Sequence, residues 1–211
     1  MCKAEPPTIY SIVFNLPNSV GFVRLILMLI GYCFVFSQPL IWYVMMQLSG
    51  CLDMLDGWLA RKFNRQSKLG QCFDMVLDRI YENTACIMIC LIYPHYYLVF
   101  VAIIIIDLSS HFMLIYKTHL YQQSSHKTVS SANFLLVIYY NNRFALTAAV
   151  IFYENFFGFL YLHHFYPLKW IFTLALICLP GALFKFVINI IQLFYSIKCI
   201  AQYDIDNRLL D

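Results

Sequence analysis

Apolar residues in this chain neither alternate nor form a narrow stripe. They run on in stretches of about twenty, the length an α-helix needs to cross the hydrocarbon core of a bilayer. Six segments fit, at 20–36, 39–60, 71–93, 97–116, 143–165 and 170–199. Pro17 precedes the first, Pro39 starts the second, Pro94 divides the third from the fourth, and Pro167 divides the fifth from the sixth. Proline in each of these places marks a helix boundary. Pro180-Gly181 falls inside the sixth segment and predicts a kink. Barrel strands would be short and alternating. The expected fold is therefore all-α, a polytopic bundle of six transmembrane helices in one membrane domain over residues 1–211.

Composition agrees. Of 211 residues 62% are hydrophobic and 12% charged, about half the ~25% charge of a soluble domain. Too little polar surface is available for a soluble globule. The net charge of +3 is scattered, with no basic stripe of the kind a nucleic acid requires. Cys33, Cys51, Cys72, Cys86, Cys90, Cys178 and Cys199 lie in or beside apolar runs and read as small packing residues. Glu5, Pro6 and Pro7 stand where a cleaved signal would be basic and then apolar.

Basic residues set the expected orientation. With the amino end cytoplasmic, the connection carrying Arg61, Lys62, Arg65 and Lys68 is cytoplasmic, as is the longer one carrying Lys117, His126 and Lys127. The opposite connections, around Pro94 and Pro167, hold almost no fixed charge. The long connection at about 117–138 is partly apolar and suits an interfacial helix.

The charges inside the spans carry the chemistry. Asp53 and Asp56 fall near the end of the second span, Asp74 and Asp78 near the start of the third. Each ionised carboxylate at membrane depth costs ~2.5–3.5 kcal/mol on insertion scales. Helical spacing puts Asp53, Asp56, Gly57 and Ala60 on one face, and Gly70, Asp74 and Asp78 on one face of the next helix. A connection of about eight residues makes those helices antiparallel neighbours. The four acids then converge near the cytoplasmic interface, with a formal charge of −4. Oxygen ligands favour a hard divalent cation, Mg²⁺ or Mn²⁺, and two such ions balance the charge. Gly57, Ala60 and Gly70 leave room for a ligand or a backbone. Arg61 projects nearby, where a guanidinium suits phosphate oxygens. The blander alternative is a set of solvated helix ends paired with Arg61, Arg65 or Arg79.

The run Asp53-x2-Asp56-Gly57-x2-Ala60-Arg61-x8-Gly70-x3-Asp74-x3-Asp78 resembles, element for element, the signature of the CDP-alcohol phosphatidyltransferase family. Pro17-Asn18 and Arg24 extend the likeness upstream. The resemblance implies a six-helix membrane enzyme that uses two divalent metals to pass a phospho group from a CDP-linked donor to an alcohol, releasing CMP. It implies that Asp53, Asp56 and Asp74 hold one metal and Asp53, Asp74 and Asp78 the other. It further implies that Gly57, Arg61 and Ser67 contact CDP-diacylglycerol and that Asp78 accepts the proton.

Further short matches resemble the family's eukaryotic branch that transfers to myo-inositol: Phe73 to Arg79, Asp107 to His111, Ser125-His126-Lys127, and Tyr139 to Arg143. The membrane expected is that of the endoplasmic reticulum, with the active site facing the cytoplasm as the basic residues imply. The partners expected are the donor, inositol and membrane lipids, with a homodimer left open. Inositol is a neutral polyol, and His126, Lys127, Tyr139, Tyr140 and Arg143 could supply its hydrogen bonds, or equally anchor the chain at the interface. Glu82 and Asp107 are expected to pair inside the bundle with groups such as Arg79 and His111. Other acceptors within the same chemistry are serine, glycerol 3-phosphate and ethanolamine. Outside it stand a cation transporter, which would string its acids along a path through the membrane rather than cluster them at one end, and a lipid-binding structural protein.

Overall fold

The computed structural model describes residues 8–121 and 134–208. Its helices are α1 (Ile9–Val13), α2 (Leu16–Cys33), α3 (Pro39–Lys62), α4 (Lys68–Ile92), α5 (Tyr97–Leu120), α6 (Phe134–Asn141), α7 (Arg143–Phe165) and α8 (Lys169–Arg208), with one 3₁₀ turn at Pro94–Tyr96. No strand occurs among the described residues. Each of the six apolar segments coincides with one long helix. The chain runs helical through Pro180. Of the long connection, 122–133 lies outside the described residues, and its far end forms α6.

Local chemistry fixes the helix ends. Asn15 caps α2 by accepting from the Asn18 N–H at 2.8 Å, with proline in the first turn. Pro39 opens α3, where its missing N–H costs nothing. Asn142 caps α7 by accepting from the N–H groups of Phe144 and Ala145. Helix α3 closes on Asn64, whose φ of 50° is left-handed. The Asn64 N–H reaches the Arg61 carbonyl at 3.3 Å and the Arg65 N–H reaches that of Ala60 at 3.0 Å, the paired bonds of a Schellman end. Because α4 begins at Lys68, the α3–α4 connection is residues 63–67. That is shorter than the eight residues expected, since this Schellman end and a cap on α4 consume the polar stretch.

Two compact units follow, Met1–Glu82 and Asn83–Asp211, with the boundary inside α4. In the first, α2 packs along α3 over Met28, Trp42 and Met46. A methyl on Gly21 would lie 2.8 Å from the Phe73 ring, so glycine is what lets α2 approach α4. In the second, α8 packs on α7 and α5, and α6 touches α7 and α8. Leu136, Tyr139, Ala149 and Ile188 form a buried cluster there. A methyl on Gly181 would overlap Phe152.

The chain is an integral membrane protein. Four stretches, Leu16–Cys33, Pro94–Leu120, Phe144–Phe165 and Lys169–Asn207, are long and apolar enough to cross a bilayer. Their outward faces are apolar, as at Ile26 and Leu29 of α2, Leu98, Ile105 and Phe112 of α5, and Ile177 and Phe194 of α8. Exposed apolar area on this scale needs lipid around it. Helices α3 and α4 are as long but carry the acids. The seven described cysteines are free thiols.

Candidate functional site

The four acids meet, and they meet on a residue that spacing alone does not single out. Arg24, from the middle of α2 and 2% exposed, places Nη1 at 2.7 Å from Asp53 Oδ1, 3.0 Å from Asp56 Oδ2 and 3.0 Å from Asp74 Oδ1. Its Nη2 lies 2.9 Å from Asp78 Oδ1. Helical periodicity explains the convergence: Asp53 and Asp56 are one turn apart on α3, and Asp74 and Asp78 one turn apart on α4. The planar fork of a guanidinium can then serve two sets of oxygens at once. The blander pairing is corrected in its partners. Arg61 and Arg65 are exposed, and Arg79 grips Glu82 through both Nη atoms at 3.1 and 3.0 Å.

One guanidinium leaves three of the four negative charges unbalanced. Ligand oxygens of Asp53, Asp56 and Asp74 lie within 4.8 Å of one another, and Arg24 Nη1 stands at the point they share. That nitrogen marks where a cation is stabilised. The donor set, all carboxylate, suits a hard divalent ion. Arg24 and Asp56 are shielded, whereas the side chains of Asp53, Asp74 and Asp78 are 37–39% exposed, so the cluster opens on their side.

Gly57 faces Arg61: a methyl there would sit 3.3 Å from Arg61 Nη1. The guanidinium thus folds over the glycine, which directly follows Asp56 and lies one turn from Asp53. Gly70 has a different reason for lacking a side chain. A methyl there would come within 2.7 Å of Asn18 Oδ1 and 3.1 Å of Ser67 Oγ. Asn18 is buried, and its amide donates to the Ile12 carbonyl at 2.8 Å. Ser67 Oγ accepts from the Gly70 N–H at 2.9 Å, capping α4 and so fixing where Asp74 and Asp78 point. We expect Ser67→Ala to lower stability by about 1 kcal/mol through the lost cap, read as a drop in thermal midpoint in detergent. Ser67→Asp, which keeps a capping oxygen, should restore the midpoint; an unchanged midpoint in the alanine variant would remove the cap from the account.

The residues expected to serve the acceptor belong to the second unit or lie outside the described residues, as His126 and Lys127 do. Tyr139 is buried, its ring 5.0 Å from Tyr140 and 6.2 Å from Phe184. The Tyr140 hydroxyl donates to Gln192 Oε1. Arg143 begins α7. Glu82 and Asp107 pair as expected. Asp107 is 3.4 Å from His111 Nδ1 and accepts from the amides of Asn83 at 2.9 Å and Asn189 at 3.0 Å. What the sequence reading missed is the buried polar face of α8, with Lys185, Asn189, Gln192 and Ser196; Lys117, expected in the connection after the fourth span, is instead buried within the last turn of α5. The spacing i, i+4, i+7, i+11 on α8 was the available signal. Lys185 lies over the Tyr153 ring at 4.2 Å and Lys117 over that of Tyr195 at 5.3 Å.

Residues 14–179 match the family model for CDP-alcohol phosphatidyltransferase. The chain is 34% identical over 199 residues, 93% of its length and 86% of the relative's, to a Candida albicans protein named CDP-diacylglycerol–inositol 3-phosphatidyltransferase. Proteins of the same name from Schizosaccharomyces pombe and Homo sapiens are each 32% identical, covering 98% and 94% of this chain and 95% and 96% of their own. No solved structure matches the chain significantly.

Proposed function

The chain belongs to the CDP-alcohol phosphatidyltransferase family, and from that membership we propose that it makes phosphatidylinositol, transferring the phosphatidyl group of CDP-diacylglycerol to myo-inositol and releasing CMP. The observation that carries the acceptor is identity of 32–34%, over nearly the whole length, to relatives named for that reaction.

The chemistry follows from the acids. Asp53, Asp56 and Asp74 would hold one Mg²⁺ or Mn²⁺ ion, and Asp53, Asp74 and Asp78 a second. When bound, the ions neutralise charge on the donor's pyrophosphate as it breaks. Arg61 and Gly57 on α3, with Ser67 at the start of α4, bind the donor, the guanidinium offering a planar fork to phosphate oxygens. Asp78 takes the proton of the inositol hydroxyl as that oxygen forms its bond to the diacylglycerol-linked phosphorus and the bond to CMP breaks. His126, Lys127, Tyr139 and Arg143 hold the polyol.

Residues 1–211 then act as one catalytic membrane domain with six spans. Helices α3 and α4, with 24 and 25 residues, are ~36–38 Å long at 1.5 Å per residue, enough for a hydrocarbon core of ~30 Å. The basic run Arg61, Lys62, Arg65 and Lys68 between them supports a cytoplasmic metal centre, and endoplasmic reticulum is the membrane proposed.

The test is purified protein in detergent with CDP-diacylglycerol, Mg²⁺ or Mn²⁺, and each labelled alcohol in turn. Inositol should enter lipid, while serine, glycerol 3-phosphate and ethanolamine should not; a preference for any of these three would overturn the acceptor. Loss of a group that hydrogen-bonds a buried hydroxyl costs ~1–3 kcal/mol. Arg143→Ala and Lys127→Ala should therefore raise the inositol concentration for half-maximal rate about tenfold or more, with the donor dependence near wild type. If neither substitution moves it, these residues do not bind the acceptor.

A further inference from the structure

We infer that Arg24 is a tethered cation that holds the carboxylate centre together in the absence of divalent ions and is displaced when they bind. The inference rests on the metal-centre reading above and goes beyond it, because it assigns a role to a residue on α2 that is neither a metal ligand nor a substrate contact.

Three observations carry it. First, Nη1 is within 3.0 Å of an oxygen from each of Asp53, Asp56 and Asp74, the three acids whose ligand atoms cluster within 4.8 Å. A divalent ion binding those oxygens would occupy the same point. Two cations cannot share it, so ion and guanidinium exclude one another. Second, the clamp is made by the two Nη atoms alone: Arg24 Nε is buried with no hydrogen-bond partner. Nothing at Nε resists withdrawal of the head once its carboxylates are taken. Third, the Arg24 backbone is anchored separately, its carbonyl accepting from the buried Ser49 hydroxyl at 3.4 Å. The helix is held while the guanidinium is held only by the acids.

The physical need is evident from charge. Four carboxylates at membrane depth, with no counter-cation, repel one another and would splay α3 from α4. Arg24 reduces that repulsion and keeps the oxygens aimed at one point, so an arriving ion meets a centre already assembled. The same contacts must break for the ion to bind, and apparent metal affinity is lowered by their free energy. Arg24 is thus a positioning residue and a competitor at once, and the two roles can be separated by the sign of one measurement.

The measurement is Mn²⁺ binding to purified protein in detergent, followed by electron paramagnetic resonance of the free ion. Arg24→Gln removes the competing charge, so Mn²⁺ should bind at least about tenfold more tightly than to wild type. Its thermal midpoint should fall in chelator and recover when Mn²⁺ is added, giving a larger metal-induced shift than wild type shows. Arg24→Lys, which keeps a tethered cation, should stay near wild-type affinity. A merely structural arginine predicts the reverse sign, since its loss would scatter the ligands; weaker or unchanged Mn²⁺ binding in Arg24→Gln would overturn the inference.

Should Arg24→Gln not fold, wild type still decides the matter. Its arginine side-chain ¹⁵N resonances, with that of Arg24 identified by its loss in Arg24→Lys, should shift when Mg²⁺ replaces chelator. An Arg24 signal that ignores saturating Mg²⁺ would overturn the inference. Absence of Mn²⁺ binding in wild type and variants alike would instead sink the metal-centre reading on which it rests.

Discussion

Asp78→Asn should lower turnover by at least about a thousandfold while CDP-diacylglycerol still binds, an effect within the 10²–10⁴ typical of a lost general base and enlarged by the loss of a metal ligand. The substitution is nearly isosteric. An asparagine oxygen can still accept from Arg24 Nη2, which lies 2.9 Å from Asp78 Oδ1, so the fold has little reason to change. What disappears is a carboxylate able to take a proton and one charge of the four. Donor binding should survive because the proposed donor contacts, Gly57 and Arg61 on α3 and Ser67 just before α4, lie on the other helix or about three turns from Asp78. Chelation of divalent ions should abolish wild-type turnover as completely, and Mg²⁺ or Mn²⁺ should restore it. Initial rates with labelled inositol, together with binding of the donor to the inactive variant, check both halves. Turnover that persists in Asp78→Asn, or in chelator, would refute the metal-assisted reaction with Asp78 as base.

Why the convergence of the acids was legible, while Arg24 stood out only through the family likeness and not as their partner, is a matter of range. Four aspartates in apolar helices carry an insertion cost that demands an explanation, and three- and four-residue spacings put each pair on one face whatever surrounds it. Glycine at 57 and 70 was equally readable as missing bulk, although the reasons differ: Gly57 faces its own helix's Arg61, while Gly70 faces Asn18 on α2. Arg24 lies more than two dozen residues upstream of the nearest acid, alone in an apolar run. Only the packing of α2 against α3 brings it in. The sequence shows its charge as an anomaly without saying which of several carboxylates or phosphates answers it.

Connections were read less well than helices for a similar reason. Polar residues at 61–70 look like loop in the sequence and predict a longer α3–α4 connection than the one formed. In the structure Lys62 and Lys68 are already helical; Asn64 in the left-handed region and Ser67 as a cap convert a polar run into a tight connection. On α8, mean apolarity masked the polar face of Lys185, Asn189, Gln192 and Ser196. A hydrophobic helix in a membrane protein hides its polar stripe inside, the opposite of the soluble pattern that periodicity reading is tuned to detect.

Arg79→Met should destabilise the protein by about 3–5 kcal/mol, because it removes one member of a buried ion pair and leaves the other charged. Glu82 is 3% exposed and meets both Nη atoms of Arg79, so it loses two charge-assisted hydrogen bonds once that side chain is gone. Glu82→Gln should cost less, about 1–3 kcal/mol, since the amide can still accept a hydrogen bond. Arg79→Met combined with Glu82→Leu removes both charges and should recover most of the loss, as apolar replacements of whole buried pairs often do. Thermal midpoints of the four proteins in detergent form the cycle. A neutral Arg79→Met would mean the pair contributes little; a double variant no better than the worse single would mean each residue acts through other contacts. Activity adds a second reading, because Arg79 adjoins Asp78 in the chain. Turnover that returns together with stability in the double variant makes the pair a scaffold for α4; turnover that stays low once stability has returned makes its charges part of the setting of Asp78, one helical turn from Glu82.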